Sequence, residues 1–216
     1  FRDDVRRANV VVVGSPTYNM TYSGVFKNAM DYLKPGDFNE NTPVGIVSTS
    51  GGPGGAAVTA MHMRTVFPIF NVIVMPSYCA IGGSWRVFDQ DGNVKAEEEP
   101  TAKRIDTFGV KLFNFADILF GFNNMKRKSS SNGRGSKEEN RSKAAHYGEN
   151  SKQHAAAAMN ALFVNGSGNK NGTTAKTLVL LQKQARLRGY NTKLVHAVEF
   201  PIHDGKQNSS MNNNLV

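Results

Sequence analysis

Cysteine is almost missing from this chain of 216 residues: Cys79 stands alone, which excludes an intrachain disulfide and any Cys-x-x-Cys metal or redox motif. Apolar runs are short, and none approaches the ~20 residues that a membrane-spanning helix needs. The sequence opens with Phe1-Arg2-Asp3-Asp4 and shows no apolar segment typical of a secretory signal. We therefore expect a soluble, cytoplasmic protein without a membrane partner.

Several catalytic motifs are missing as well. No Gly-x-Ser-x-Gly nucleophile elbow occurs, which argues against a hydrolase of that type. The five histidines show no metal-ligand spacing, so no metal site is predicted. Residues 52–57 fit the pattern G-x-G-x-x-A of a dinucleotide fold, but the acidic residue expected about 20 positions later is absent. A Rossmann-type NAD site is therefore disfavoured.

The formal net charge of +9 is concentrated in one segment. Residues 125–154 include eight Lys or Arg and three Glu, within a composition rich in Ser, Gly and Asn and poor in aromatics. Such a composition is typical of a flexible linker. Because aromatic side chains that could stack on bases do not alternate with the charges, we do not expect nucleic-acid binding.

The stretch 160–177 carries the strongest functional pattern. A short apolar run at 161–164 predicts a buried strand, and an apolar helical repeat begins near Leu178. A strand, a loop of small polar residues and a helix N-terminus form a phosphate site, because the first-turn amides lack intrahelical partners and the helix dipole is positive there. The loop has no Gly-Lys-Ser/Thr ending, so a Walker A triphosphatase is not expected. The candidate ligands are Ser167, Asn169, Lys170, Asn171, Thr173 and Thr174.

Buried strands and amphipathic helices alternate along the chain, which predicts a doubly wound parallel α/β sheet. Because ligands bind beyond the carboxyl ends of the strands in such sheets, we expect one functional edge. Strands are predicted at 10–13, 44–47, 72–75, 161–164 and 192–200, helices at about 25–33, 56–67 and 101–119, and loops at 14–24, 48–55 and 76–83.

Four motifs resemble the NAD(P)H-dependent FMN reductase family, which has the flavodoxin-like fold. The first is Gly14-Ser15-Pro16-Thr17-Tyr18-Asn19, followed by Ser23-Gly24-Val25-Phe26-Lys27-Asn28-Ala29-Met30-Asp31-Tyr32-Leu33. The others are residues 43–52, residues 84–93 and the loop 166–176. Thr17 and Asn169 depart from the Glu and Arg that are common in the family.

The resemblance implies bound FMN, with its phosphate at 167–174. The ring would lie between two loops, formed by Pro16, Thr17, Tyr18, Asn19 and Met20 and by Thr49, Ser50, Gly51 and Gly52. A hydride would pass from NADPH or NADH to FMN and on to a small-molecule acceptor such as a quinone, an azo compound or free flavin. This chemistry is the cofactor's own, so no catalytic acid or base is assigned. The family commonly forms homodimers or tetramers.

The alternative is a flavodoxin-like electron carrier or a non-catalytic FMN-binding module. Both would bind the cofactor without turnover. Carriers of this type tend to be acidic, whereas this chain is basic even outside the linker. We therefore favour the reductase.

The order of the strands departs from that of the family, whose first two strands come last here. We expect a circularly permuted, five-stranded flavodoxin-like sheet, in the spatial order 192–200, 161–164, 10–13, 44–47 and 72–75. Residues 1–123 would be the C-terminal part of the domain, 124–158 a flexible basic linker, and 159–216 the N-terminal part. Residues 1–8 and 209–216 each look like half of one helix, so the chain would be a permutant, or a piece of two tandem copies, opened inside that helix.

A chain rebuilt as residues 159–216 followed by 1–122 is expected to fold, to bind FMN and to be at least as stable as the present one, because the opened helix is restored. Thermal unfolding with and without FMN measures this. A rebuilt chain that does not fold or does not hold FMN would refute the permutation.

Overall fold

The computed structural model describes residues 1–131 and 159–203, with side chains in 1–120 and 159–203. Helices pack on both faces of one sheet. The elements in chain order are α1 (Arg2–Arg7), β1 (Val10–Tyr18), β2 (Thr21–Tyr22), α2 (Gly24–Asp31), β3 (Pro43–Thr49), α3 (Gly55–Arg64), β4 (Ile73–Val74), β5 (Cys79–Ile81), α4 (Glu99–Ser131), β6 (Asn160–Asn165), α5 (Thr173–Leu187) and β7 (Asn191–His196).

The sheet follows the order β4-β3-β1-β6-β7, with β5 also paired to β3 and β2 paired to β1. All pairings between these strands are parallel except that of β1 with β2. The predicted α/β class and the predicted spatial order of the five main strands are therefore confirmed. This is the flavodoxin-like strand order.

Two hydrophobic cores lie on opposite faces of the sheet. In β1, Val10 and Val12 belong to one core and Val11 and Val13 to the other, as the alternation of side chains along a strand requires. The first core includes apolar side chains of α4 and α5, and the second includes those of α1, α2 and α3. A strand buried on both faces has a continuous apolar sequence, which is why the four valines at 10–13 identified β1.

The prediction of a loop at 14–24 is wrong for its first half, because β1 continues to Tyr18. Its parallel register with β3 extends to Pro16 opposite Thr49, and β2 pairs antiparallel with its last two residues. A two-residue turn closes this hairpin, with positive φ angles at Asn19 (49°) and Met20 (66°). Positive φ at both central residues matches the right-handed twist of hairpin strands.

Two other strand boundaries also differ from the prediction. The strand expected at 72–75 is reduced to Ile73–Val74, and Cys79–Ile81, predicted as loop, is a second short strand on the same edge of β3. The last strand ends at His196, and Ala197–Glu199 forms a 3-10 turn. Helix α4 continues to Ser131, into the segment predicted as linker.

The rest of that linker, 132–158, and the tail 209–216 lie outside the described residues. Within the described ranges, none of the helices combines the length and the apolar character that crossing a bilayer requires.

Helix α1 is held to the segment before β3 by one buried carboxylate. Asp37, 2% exposed, accepts hydrogen bonds from Arg2 Nε (2.8 Å) and the Lys34 amide (2.8 Å), and Arg6 Nη2 lies 2.7 Å from its Oδ1. Burial raises the pKa of Asp37, but the hydrogen bonds from Arg2 and Lys34 outweigh burial and hold the pKa below its ordinary value. Ionised Asp37 therefore stabilises the fold.

Replacing Asp37 by Asn is expected to lower the free energy of unfolding by about 2 kcal/mol at neutral pH, since hydrogen bonds to charged groups contribute ~1.5–3 kcal/mol. The contribution is complete above the unfolded pKa of 3.8 and is lost as the pH falls through the lower folded pKa. Urea unfolding from pH 7 downwards should therefore show the two proteins converging in acid.

The matched control is Asp31→Asn, because Asp31 is a half-exposed carboxylate paired with Lys27 on the surface of α2. Its cost should stay within about 0.5 kcal/mol. A difference between wild type and Asp37→Asn that persists unchanged in acid would show that charge at Asp37 does not hold α1.

Candidate functional site

The carboxyl ends of β6, β1 and β3 meet at one edge of the sheet. Asn165 stands opposite Gly14, and Thr49 stands opposite Pro16. The Gly166 amide donates to the Gly14 carbonyl over 2.7 Å. A Cβ at Gly166 would lie 2.7 Å from the Phe26 Cβ, so only glycine allows the backbones to approach this closely.

Ser23 ties the start of α2 to this junction. Its Oγ accepts from the Phe26 amide (3.0 Å) and donates to the Gly166 carbonyl, while its own amide donates to Ser15 Oγ (3.0 Å). Sequence reasoning did not assign Ser23 to the site. A serine immediately before an amphipathic helix is an N-cap signal, and this could have identified it.

The polar side chains of loop 166–172 fold back on the loop itself. Ser167 Oγ accepts from the Asn169 amide (3.1 Å), Asn169 Oδ1 accepts from the Asn171 amide (2.9 Å), and Asn165 Oδ1 accepts from the Ser167 amide (3.2 Å). Lys170 forms an exposed ion pair with Glu199. That hydrogen bond from Lys170 holds the pKa of Glu199 below its ordinary value. These side chains shape the loop, and the one cation within it is neutralised.

The two threonines at the start of α5 also bond within the protein. Thr174 is 2% exposed, and its Oγ1 lies 2.7 Å from Oγ1 of Thr49 at the end of β3. Thr173 Oγ1 donates to the Ser84 carbonyl over 3.2 Å. The Lys176 amide donates to the Gly172 carbonyl (3.0 Å), so the amides of 173–175 precede this bond at the open end of the helix.

The loop that follows β3 is held by hydrogen bonds of Ser50 and by packing against Gly82, and it has free space around Gly51 and Gly52. Ser50 Oγ donates to the Gly52 carbonyl (2.6 Å) and accepts from the Ala56 amide (3.1 Å). A Cβ at Gly82 would lie 2.5 Å from the Pro53 carbonyl oxygen, so this loop rests directly on backbone. A Cβ added at Gly51 or Gly52, by contrast, would meet no atom within 4 Å.

The hairpin at the end of β1 forms the second predicted loop. Thr17 Oγ1 accepts from Thr59 Oγ1 of α3 (2.8 Å), which anchors the strand end. Tyr18 is 54% exposed and Met20 is exposed beside it. The pairing of Pro16 with Thr49 therefore places this hairpin next to the Ser50 loop. All three predicted segments of the site lie at the same edge.

Three further residues near these loops differ in exposure and in their contacts. Sequence reasoning did not assign Ser84 to the site, although Ser84 begins the motif 84–93. Its amide donates to the Ser50 carbonyl (2.9 Å) and its carbonyl accepts from Thr173, so it joins the two loops. Trp85 beside it is 77% exposed. Cys79 is fully buried, and burial raises the pKa of its thiol to about 12, which keeps it unreactive as a nucleophile.

The first part of the chain matches a known family. Residues 1–86 match the family model described as NADPH-dependent FMN reductase. This match includes β1, the hairpin and the Ser50 loop. The resemblance seen in the sequence is thus confirmed for this segment.

Individual relatives point in the same direction. The chain is 27% identical over 117 residues to an FMN-dependent NADPH-azoreductase of Staphylococcus haemolyticus (strain JCSC1435), covering 54% of this chain and 61% of that protein. It is 26% identical over the same length to the FMN-dependent NADPH-azoreductase of Staphylococcus aureus (strain USA300). The match therefore spans about three fifths of the length of these relatives.

A solved structure is also similar. It is an oxidoreductase from Corynebacterium diphtheriae, with 20% identity, a TM-score of 0.40, and coverage of 50% of this chain and 54% of that one.

Proposed function

We propose that this protein is an FMN-dependent oxidoreductase that takes a hydride from NADPH or NADH. The observation that carries the proposal is the shared edge at which a helix N-terminus, a glycine-rich loop and an exposed hairpin meet, the last two within the segment that matches the family model. Bound FMN would accept the hydride and pass the electrons to a quinone, an azo compound or free flavin. The named relatives are FMN-dependent NADPH-azoreductases, which supports this class of small-molecule acceptor.

The phosphate of FMN would lie at the N-terminus of α5. The hydroxyl groups of Thr173 and Thr174 are engaged with Ser84 and Thr49, and Lys170 is paired with Glu199. The backbone amides of 173–175 are therefore the main ligands in this proposal, and the helix dipole favours the anion there. In this proposal the side chains of Thr173 and Thr174 position the backbone, and the amides contact the phosphate.

The flavin ring would lie between the hairpin 16–20 and the loop 49–52. Gly51 and Gly52 are exposed and carry no side chain, so that their amides can approach the polar edge of a planar ring. Exposed Tyr18 offers an aromatic face on the other side. Exposed glycine backbone near an aromatic side chain suits a flat heterocycle.

The alternative function is an electron carrier of the flavodoxin type, which would bind FMN in the same way without reacting with nicotinamides. The relatives' names favour the reductase. The cytoplasmic location and the homodimer or tetramer stay predictions from the sequence.

We also propose the permuted division of the chain into 1–123, 124–158 and 159–216. Its support is that the sheet has the flavodoxin-like order, in which the places of the fold's first two strands are taken here by β6 and β7. These two strands come last in the chain.

The FMN-loaded chain is expected to lose its flavin absorbance when NADPH is added without oxygen, and to regain it when a quinone or an azo dye follows. Because one bound flavin serves donor and acceptor in turn, initial rates should follow ping-pong kinetics. Free FMN at the same concentration is the control. Flavin that binds but is reduced by neither nicotinamide would establish the carrier instead.

Replacing Thr173 by Pro should weaken FMN binding by about 10- to 100-fold, the equivalent of one charge-assisted hydrogen bond of ~1.5–3 kcal/mol. Thr173 is the first residue of α5, where proline fits the helix and removes only the amide N–H. Gly172 has an extended conformation (φ −73°, ψ 176°) that a following proline accepts. Fluorescence titration of the apo-protein measures the affinity.

The matched control is Thr173→Ala, which keeps the amide and removes only the hydroxyl that bonds to Ser84. It should weaken binding much less. Equal losses in the two variants would identify the hydroxyl, and not the amide, as the phosphate ligand.

A further inference from the structure

A basic cleft, here called the α4 cleft, lies on the β5 side of the sheet, away from the site at the strand ends. It has a volume of about 310 Å³ and lies between the first half of α4 and the segment that precedes β5. Phe108 forms part of its wall. The polar side chains lining it are Ser77, Tyr78, Lys103, Arg104, Thr107 and Lys111.

The charge of this cleft is not compensated by any acidic residue in the part of the chain that the structure describes. Within the described residues, Lys103, Arg104 and Lys111 form no ion pair, and no carboxylate lines the cleft. Arg104 donates one bond to the Ala80 carbonyl (2.9 Å), which fixes its position and leaves its other donors available. Asp106, on the same helix, accepts a hydrogen bond from Gln184 of α5. Three positive charges without an ion pair among the described residues therefore line this cleft.

A second cleft that contains basic residues is balanced internally. It is lined by Arg7, Lys193 and Asp4 at the opposite end of the strands. Asp4 lies 3.0 Å from Arg7 and 2.7 Å from Lys193, so one carboxylate serves both cations. An anion would have to displace Asp4 there, whereas no described carboxylate competes for the cations of the α4 cleft.

The α4 cleft is within reach of the proposed flavin site. Ile81, the last residue of β5, stands opposite Thr49 and accepts a hydrogen bond from the Ser50 amide (2.9 Å). Tyr78 precedes Ile81 by three residues, which places it about 10 Å further down the edge at ~3.3 Å per strand residue. An extended dinucleotide spans such a distance between its nicotinamide and its adenosine phosphate.

We propose that the α4 cleft binds the 2′-phosphate of NADPH, an assignment that rests on the proposed function. A phosphate monoester carries nearly two negative charges and several strong acceptors, which three cations and three hydroxyl groups can satisfy together. NADH has a hydroxyl group in place of this phosphate. The cleft therefore sets a preference for NADPH.

Calorimetric titration of the FMN-loaded full chain with 2′,5′-ADP tests the assignment directly, because this ligand carries the 2′-phosphate but no nicotinamide. Lys103→Glu and Lys111→Glu should each weaken its binding by at least about tenfold, as each replaces a charge-assisted contact by repulsion. The matched control is Lys183→Glu, an exposed lysine on α5 that does not line the cleft. Lys183→Glu should leave the affinity for 2′,5′-ADP unchanged. All three variants should bind 5′-AMP with the affinity of the wild-type chain.

In turnover assays, the two cleft variants should raise KM for NADPH and leave KM for NADH and the FMN affinity as they are. Failure of 2′,5′-ADP to bind, or an equal loss in Lys183→Glu, would overturn the assignment. Inorganic phosphate that binds as tightly as 2′,5′-ADP would also overturn it, by showing a site for free phosphate. If the protein binds 2′,5′-ADP in this cleft but does not bind FMN, the proposed function is refuted, whereas the assignment of the cleft as an anion site stands.

Discussion

The site depends on one contact between two glycine backbones, the hydrogen bond from the Gly166 amide to the Gly14 carbonyl. Neither position has room for a side chain: a Cβ on Gly14 would lie 2.8 Å from Thr174 Cγ2, and one on Gly166 would lie 2.8 Å from the Gly14 oxygen. This contact brings the loop after β6 against the end of β1, and the buried Ser23 hydroxyl secures it from α2. The N-terminus of α5, the hairpin and the Ser50 loop share one edge as a result.

Polar side chains at this edge mostly position backbone. Thr49 and Thr174 bond to each other, Thr173 bonds to the Ser84 carbonyl, and Ser50 bridges two backbone groups of its own loop. Buried hydroxyl groups need such partners, since an unpaired one costs roughly 1–3 kcal/mol. The groups that stay available for a ligand are amides at a helix end and bare glycine backbone, both electrically neutral. A phosphorylated ligand would therefore be held here mainly by oriented dipoles, and the three cations that line the cleft beside α4 lie elsewhere.

The sequence predicted the central strands because strands buried on both faces are continuous apolar runs, and 10–13, 44–47 and 161–164 stand out as such. Their spatial order was implied by the resemblance to the flavodoxin-like reductase family. The sequence did not predict that β1 continues to Tyr18, because Gly14, Ser15 and Pro16 are turn-forming residues. The neighbouring strand β3 keeps its register there, and β6 has ended at Asn165, so a proline interrupts the ladder on one side at most. The partners of Thr173 and Thr174 were not predictable either. They lie at Ser84 and Thr49, and no local pattern connects positions so distant in the chain.

The proposed permutation and the candidate site are compatible because they would involve opposite ends of the sheet. In a parallel sheet all carboxyl ends lie at one edge, whichever strand comes first in the chain. Helix α1 leads into the amino end of β1. It is held by Asp37 and by Asn39, which donates to the Arg6 carbonyl (3.0 Å), in the segment that enters β3, and by Lys193 of β7, which pairs with Asp4. A change of connection at that end alters no loop at the carboxyl edge. The requirement for the site is the register of β6, β1 and β3, and that register is set by pairing within the sheet.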